Sequence, residues 1–226
     1  MRLKMTTGKS CGTECGWRGL ARVARSIMPV LAVCSVWALL VVLDVVVMRT
    51  RCLENSIVEW TQFLLVTSSG VMMAVMAARS PRARGAFAMA SAFFFDMAIR
   101  EMDGFLDELL WHGSWSVLAA AVTIAAFAVV FAFRWHGTVV DGLLEIGRLR
   151  SFPLLAVGLA VILLVSRIMG MKYLWASVGD LSRMSFPKRM VEESLELFGY
   201  GLVFLWSVIR VVGCGASGDD RCASAG

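Results

Sequence analysis

Long apolar stretches, each close to the thickness of a bilayer, are the feature that most constrains this chain. A helix needs about 20 predominantly apolar residues to cross the hydrocarbon core of a membrane. We predict a membrane-spanning helix over six stretches: Ile27–Met48, Ile57–Ala78, Ala86–Leu106, Trp115–Phe133, Phe152–Met171 and Met190–Val212. The third and the sixth of these predicted spans also carry charged residues.

Composition supports lipid as the solvent for much of this surface. The chain is 58% hydrophobic and only 17% charged, whereas soluble domains carry about 25% charged residues. In lipid only helices and closed barrels satisfy their own backbone groups, and a barrel would show alternating segments of about 10 residues. The unbroken apolar runs therefore predict an all-α fold, a polytopic transmembrane helix bundle with six spans.

The spans divide the chain into three parts. We expect a basic cytoplasmic N-terminal tail over residues 1–25, the transmembrane bundle over residues 26–212 and a flexible C-terminal tail over residues 213–226. No small-residue cleavage pattern follows the first apolar run, so we expect that span to remain as an anchor.

Basic residues predict the orientation. With six spans, 14 of the 22 Lys and Arg residues fall on the side of both termini and 8 on the other. The richer side is expected to be cytoplasmic, which predicts a multi-pass protein of the inner (cytoplasmic) membrane with both termini inside. The basic loop between the fifth and sixth spans argues against this, and a five-span arrangement would move that loop inside. Because the basic residues flank spans, we expect no nucleic-acid partner despite the net charge of +5.

Three local patterns predict where helices begin or lie. Ser56 and Glu59 form a capping-box pattern that opens the second span. Pro187 suits a first helical turn, so the sixth span is predicted to start near Phe186. The segment Val139–Arg150 alternates apolar and charged residues and predicts an amphipathic helix on the inner membrane surface.

Acidic residues are concentrated toward the outer side of the six-span arrangement, which holds 12 of the 17 Asp and Glu residues. In the third span Asp96, Arg100, Asp103 and Asp107 are spaced by four, three and four, which places them on one helix face. A charge in mid-span costs about 2.5–3.5 kcal/mol on insertion scales, so we expect Arg100 to pair with Asp96. This stripe predicts either a polar wall that faces the bundle interior or an ion pair that only fixes packing.

The sixth span carries a second polar stripe, Glu193, Glu196 and Tyr200. We predict that it faces the stripe of the third span, because neither is suited to hydrocarbon. The simpler interpretation is that acids favour a helix N-terminus. Asp44 and Glu59 reach the same depth and are second-tier candidates, although the capping box already explains Glu59.

The pattern leads to one functional hypothesis and two alternatives. We expect an outer-side acidic intramembrane site that binds or moves a cation or a proton, formed by Asp96, Arg100, Asp103, Glu193, Glu196, Glu59 and Asp44. Asp96 and Glu196 are expected to bind the ion, with Arg100 tuning them. The alternatives are a membrane-embedded, metal- or carboxylate-dependent lipid hydrolase or transferase, and a non-catalytic membrane scaffold. The sequence leaves the ion or substrate, any enzymatic activity and the oligomeric state open.

The sequence contains no cofactor motif, so no cofactor is expected. Besides the cation or proton, the expected partners are membrane lipids. His112 and His136 are predicted at opposite membrane surfaces, where they cannot share a haem or a metal. Four cysteines on the cytoplasmic side, Cys11, Cys15, Cys214 and Cys222, leave a zinc site open, but their spacing is not that of short CxxC pairs.

Overall fold

The computed structural model describes residues 11–48 and 56–216; for residues 11–23, 25–26, 181–183 and 215–216 it describes the backbone alone. Throughout these ranges the chain is helical or turns between helices, without a strand. The helices are α1 (Cys11–Val42), α2 (Ile57–Arg79), α3 (Arg84–Glu101), α4 (Asp103–Leu109), α5 (Ser114–Ala132), α6 (Gly137–Gly147), α7 (Phe152–Ala160), α8 (Ser166–Met169), α9 (Lys172–Ala176) and α10 (Leu181–Ala216). A π-helical turn at Leu43–Met48 extends α1, and another at Val161–Val165 joins α7 to α8.

Within the described ranges, five helical segments are long and apolar enough to cross a membrane: Ile27–Met48, Ile57–Arg79, Ser114–Ala132, Phe152–Met169 and Met184–Cys214. They overlap five of the six predicted spans and confirm an all-helical chain with several apolar helices. The third predicted span is not among them. Its helix α3 has 18 residues, and four of these are charged: Arg84, Asp96, Arg100 and Glu101.

Packing nevertheless places α3 in the middle of the bundle. It contacts α2, α5 and α6, while α10 contacts α2, α7 and α1. The shared core combines Met73 of α2, Phe87 and Phe94 of α3, and Trp206 of α10, all of them buried. Apart from Phe93, which is exposed, the apolar positions of α3 are therefore buried or half-buried, and its charges lie at contacts with neighbouring helices.

Two glycines bring α7 against α10. A Cβ atom added to Gly158 would lie 2.9 Å from the carbonyl oxygen of Gly199, and the same distance applies in reverse. Only a pair without side chains permits this approach. The contact holds the segment that follows, with Ser166 and Arg167, beside the N-terminal half of α10.

The third predicted span ends earlier than its sequence indicates. The helix stops at Glu101, and Met102 (φ −99°, ψ 19°) separates it from the short helix α4, which begins at Asp103. The single helix predicted through Leu106 is therefore wrong at its C-terminal end. The break also takes Asp103 and Asp107 off the face of Asp96 and Arg100.

The sixth predicted span begins earlier than expected. Helix α10 starts at Leu181 rather than near Phe186, and Pro187 lies inside it. A proline removes one helical hydrogen bond, and near the start of a 36-residue helix the remaining turns tolerate that loss. The helix continues to Ala216, four residues into the predicted tail, and residues 217–226 lie outside the described ranges.

The remaining local predictions concern the start of α2, the amphipathic segment and the N-terminal tail. The Glu59 amide donates a hydrogen bond to Ser56 Oγ at 3.2 Å, which confirms Ser56 as the N-cap of α2. The amphipathic segment forms α6, and its position on a membrane surface stays a prediction. Of the predicted N-terminal tail, residues 1–10 lie outside the described ranges, and α1 begins at Cys11.

Candidate functional site

A buried ion-pair network joins the C-terminal end of α3 to α10. Arg100 Nη2 lies 2.8 Å from Glu101 Oε1 and 3.0 Å from Glu196 Oε2. Both carboxylate side chains are only 6% exposed. One guanidinium therefore links two buried acids on different helices, and this pairing meets the need of each for a cation.

Glu196 has a second set of donors on the α7–α8 segment. Its Oε1 accepts hydrogen bonds from Ser166 Oγ at 3.0 Å and from Arg167 Nη2 at 3.1 Å. The Arg167 side chain is 47% exposed and is paired with Glu196. Three donors from α3 and α8 thus satisfy both oxygens of one carboxylate.

Glu101 is the site residue that sequence reasoning missed. Besides Arg100, its Oε1 accepts a hydrogen bond from the Tyr200 hydroxyl at 2.7 Å. Tyr200 itself is buried and lies one turn beyond Glu196. A helical wheel of the third span places Glu101 about 100° away from the stripe of Arg100, so the spacing gave no signal for it.

A third acid, Glu192, lies toward the edge of the network. Lys188 Nζ lies 3.2 Å from its Oε2, and Arg167 Nη1 lies 3.7 Å from its Oε1. This i,i+4 pair with Lys188 is typical of a helix surface and contributes a few tenths of a kcal/mol, roughly 0.3–0.5. Its main effect is to hold Glu192 near Arg167.

Glu193 differs from these acids because no cation accompanies it in the described part of the chain. Its Oε2 and its backbone oxygen accept hydrogen bonds from Gln62 Nε2 at 3.3 and 2.8 Å. Gln62 is fully buried, and its Oε1 has no hydrogen-bond donor among the described residues. The site therefore offers one carboxylate and one amide oxygen that the described chain does not neutralise or satisfy.

We name this group the outer cluster, after the side of the membrane that the sequence predicts for it. It consists of Arg100, Glu101, Arg167, Lys188, Glu192, Glu193 and Glu196. It contains four acids and three bases, which leaves one negative charge. The contacts assign each base to Glu101, Glu192 or Glu196, so the surplus charge falls on Glu193.

Asp96 does not pair with Arg100, contrary to the sequence-based prediction. Its Oδ2 accepts a hydrogen bond from Thr123 Oγ1 of α5 at 2.5 Å, while its Oδ1 is buried without a partner among the described residues. Arg100 points instead toward α10, because two buried acids attract it more strongly than one acid with a hydroxyl partner. Asp96 therefore belongs to the α3–α5 contact.

Asp103 and Asp107 also lie apart from the outer cluster. Asp103 is exposed at the start of α4, where it accepts a hydrogen bond from the Gly104 amide at 2.6 Å. Asp107 binds the Gly113 amide at 2.8 Å and His112 Nδ1 at 2.7 Å. These contacts fix the turn between α4 and α5. Of the predicted site, Arg100, Glu193 and Glu196 thus come together, and Asp96 and Asp103 do not join them.

The second-tier candidates have contacts at the start of α2. Asp44 is fully buried, and its Oδ1 accepts a hydrogen bond from the Ile57 amide at 3.1 Å. This contact ties the end of α1 to the first turn of α2. Glu59 is half-buried, and its amide is capped by Ser56. Neither contact includes a member of the outer cluster.

The described residues contain no group of three or more His, Cys, Asp or Glu side chains placed to hold a metal ion. Of the cysteines considered for zinc, Cys214 is disulfide-bonded. The side chains of Cys11 and Cys15, and the whole of Cys222, lie outside the description.

Comparisons with known proteins add no relative. No family model matches this chain, and no curated protein or solved structure shows significant similarity to it.

Proposed function

We propose that this chain is an inner-membrane protein that crosses the bilayer six times, with both termini in the cytoplasm and membrane lipids around it. Six crossings include α3, whose 18 residues extend about 27 Å at 1.5 Å per residue. That length is close to the roughly 30 Å hydrocarbon core. Its central packing supports insertion, and so do the ion pairs of Arg100 and Glu101, because charges inside a bundle are tolerated where they have partners.

Reporter fusions test this topology. Fusions after Gly226 and within residues 177–186 are expected to report a cytoplasmic C-terminus and an external loop. An external C-terminus or a cytoplasmic 177–186 loop would replace six crossings with five.

We propose further that the outer cluster binds, and moves across the membrane, one monovalent cation or a proton at Glu193. The observation that carries this proposal is the surplus acid. Three bases are committed to three other carboxylates of the cluster, and among the described residues the Glu193 carboxylate is hydrogen-bonded to Gln62 alone. A carboxylate in a membrane-spanning helix needs a counter-charge or a proton. Intramembrane acids with such a need are recurrent ion and proton sites.

This assignment changes the roles expected from the sequence. Glu196 was expected to bind the ion, but Arg100, Arg167 and Ser166 already occupy its oxygens. Arg100 instead holds Glu101 and Glu196 in fixed positions. Ion binding at Glu193 then changes the charge of the cluster without breaking the ion pairs of Arg100.

Transport in proteoliposomes tests the function. Purified protein is reconstituted with a trapped pH-sensitive dye, and a pH step is applied across the membrane in the presence and absence of an external monovalent cation. We expect flux above that of empty liposomes for the wild type and none for Glu193→Gln, which keeps the size of the side chain and an acceptor for Gln62. Asp103→Asn, at an exposed acid outside the cluster, is the matched control and should behave as wild type. Equal flux from Glu193→Gln and wild type would reject the proposal.

A scaffold without transport is the second candidate, and one observation favours it. Glu101 and Glu196 are fully paired across α3, α8 and α10, as expected of ion pairs that fix helix packing. Under this alternative Glu193→Gln would leave flux unchanged at background, while Arg100→Met would lower stability.

A further inference from the structure

An apolar groove runs along the outside of the bundle where α1, α2 and α10 meet. Its volume is about 400 Å³, within the range of about 300–1,000 Å³ that is usual for small-molecule sites. The residues that define it include Val33 and Trp37 of α1, Leu65 of α2, and Leu197, Gly201 and Phe204 of α10. On α10 it extends from Leu197 to Val208, which is about 16 Å of helix at 1.5 Å per residue.

One end of this groove lies one helical turn from Glu193 along α10. Leu197, at the end of the groove, follows Glu193 by one helical turn on the same face. Thr61 lines the groove and immediately precedes Gln62, which contacts Glu193. Trp37 lines it as well, and its Nε1 donates a hydrogen bond to the Ser194 carbonyl at 2.6 Å. Each of the three helices therefore has a groove-lining residue close to Glu193, to its neighbour Ser194 or to its partner Gln62.

The groove and the acid have complementary requirements. The lining is almost wholly apolar, so it suits a hydrocarbon or aromatic body. Glu193 supplies one unneutralised carboxylate, and Gln62 Oε1 is a buried acceptor without a donor among the described residues. An ammonium group supplies both the positive charge and the N–H donors that these atoms need.

We propose that the groove and Glu193 together form a binding site for a lipophilic monocation, an amine with one positive charge and an apolar body. The inference rests on the proposed function and names the substrate class of the same site. The amine enters from the membrane through the exposed side of the groove at Ala32 and Val36. Its ammonium group competes with the proton for Glu193.

Equilibrium binding tests this site. Tritiated octylammonium and octanol are titrated onto the protein in nanodiscs, with empty nanodiscs subtracted. We expect one octylammonium per chain and at least about tenfold weaker binding of octanol, because octanol lacks the charge. Octylammonium affinity should also fall as the pH is lowered, since protons occupy the same carboxylate.

Two pairs of variants separate the parts of the site. Glu193→Gln should weaken octylammonium binding about tenfold or more, with Asp103→Asn as its control. Ala32→Phe places a ring in the groove and should block binding. Ala38→Phe makes the same change at an exposed position of α1 outside the groove and should not affect binding.

Each other outcome overturns the inference. Equal binding of octanol and octylammonium would show an apolar site for lipid chains only. Wild-type affinity in Glu193→Gln or in Ala32→Phe would remove the acid or the groove from the site. Absence of octylammonium binding, together with Glu193-dependent proton flux, would refute this inference and leave the proposed function standing.

Discussion

Removing the shared cation of the outer cluster is the most informative perturbation of this fold. Arg100→Met keeps the length of the side chain but deletes the guanidinium that lies 2.8 Å from Glu101 and 3.0 Å from Glu196. Both acids are 6% exposed, so water cannot replace the lost partner. Breaking a buried pair in this way costs about 3–5 kcal/mol.

The two stranded acids are not equivalent. Without Arg100, Glu196 still has Arg167 and Ser166, whereas Glu101 has only the Tyr200 hydroxyl among the described residues. Glu101→Gln should therefore rescue Arg100→Met better than Glu196→Gln does.

Thermal unfolding in mild detergent measures these differences. A loss of 3–5 kcal/mol corresponds to a melting temperature lower by about 10 °C in a chain of this size. Arg148→Met, at an exposed arginine on the end of α6, should shift it by no more than about 1–2 °C. A melting temperature of Arg100→Met equal to that of the wild type would show that Arg100 does not stabilise the fold through Glu101 and Glu196. Better rescue by Glu196→Gln than by Glu101→Gln would refute the assignment of partners.

Three further predictions concern contacts outside the outer cluster. Asp44→Ala should lower stability by about 1–2 kcal/mol because the Ile57 amide loses its cap; Asp44→Asn, which keeps an acceptor, should recover most of it in the same unfolding assay. Gly142→Val should separate α6 from α3, because a Cβ there would lie 2.7 Å from Ala86 Cβ, and a crosslink between the two helices should be lost; an unchanged crosslink would contradict this. Burial raises the pKa of the Glu145 carboxyl above its ordinary value of 4.5, so the folded state binds this proton more tightly than the unfolded state. The ionised Glu145 carboxylate therefore destabilises the folded state. This effect is absent below pH 4.5 and grows as the pH rises toward the pKa of the folded state. Glu145→Gln should therefore gain stability relative to wild type between pH 4 and pH 7, and a constant difference would contradict the assignment.

The sequence predicts helices well where lipid-like composition alone decides them. The first predicted span, Ile27–Met48, lies wholly within a continuous helical segment of the structure, because an unbroken apolar run has no competing local signal. The Glu193–Glu196–Tyr200 stripe was also identified, since helical periodicity places its members on one face. Its contact with Arg100 was expected from the cost of leaving either stripe in hydrocarbon.

Features that depend on tertiary packing could not be predicted from the sequence. The break at Met102 has no proline near it, and the nearby Gly104 lies inside α4 rather than at the break. This break removes Asp103 from the predicted site. The choice of Arg100 between Asp96 and Glu196 depends on how far a long side chain reaches across helices. Glu101 became a site residue only because Tyr200 of α10 lies opposite it.

Infrared spectroscopy of the carboxylic-acid band can identify Glu193 as the acid that takes up the proton or cation. Acidifying the protein in nanodiscs should produce the carbonyl stretch of neutral carboxylic acids, and octylammonium should suppress the component that belongs to Glu193 by competing for that group. We predict that Glu193→Gln removes the octylammonium-sensitive component and that Asp103→Asn retains it. An octylammonium-sensitive component that survives in Glu193→Gln would assign the proton to another acid and contradict the proposed role of Glu193.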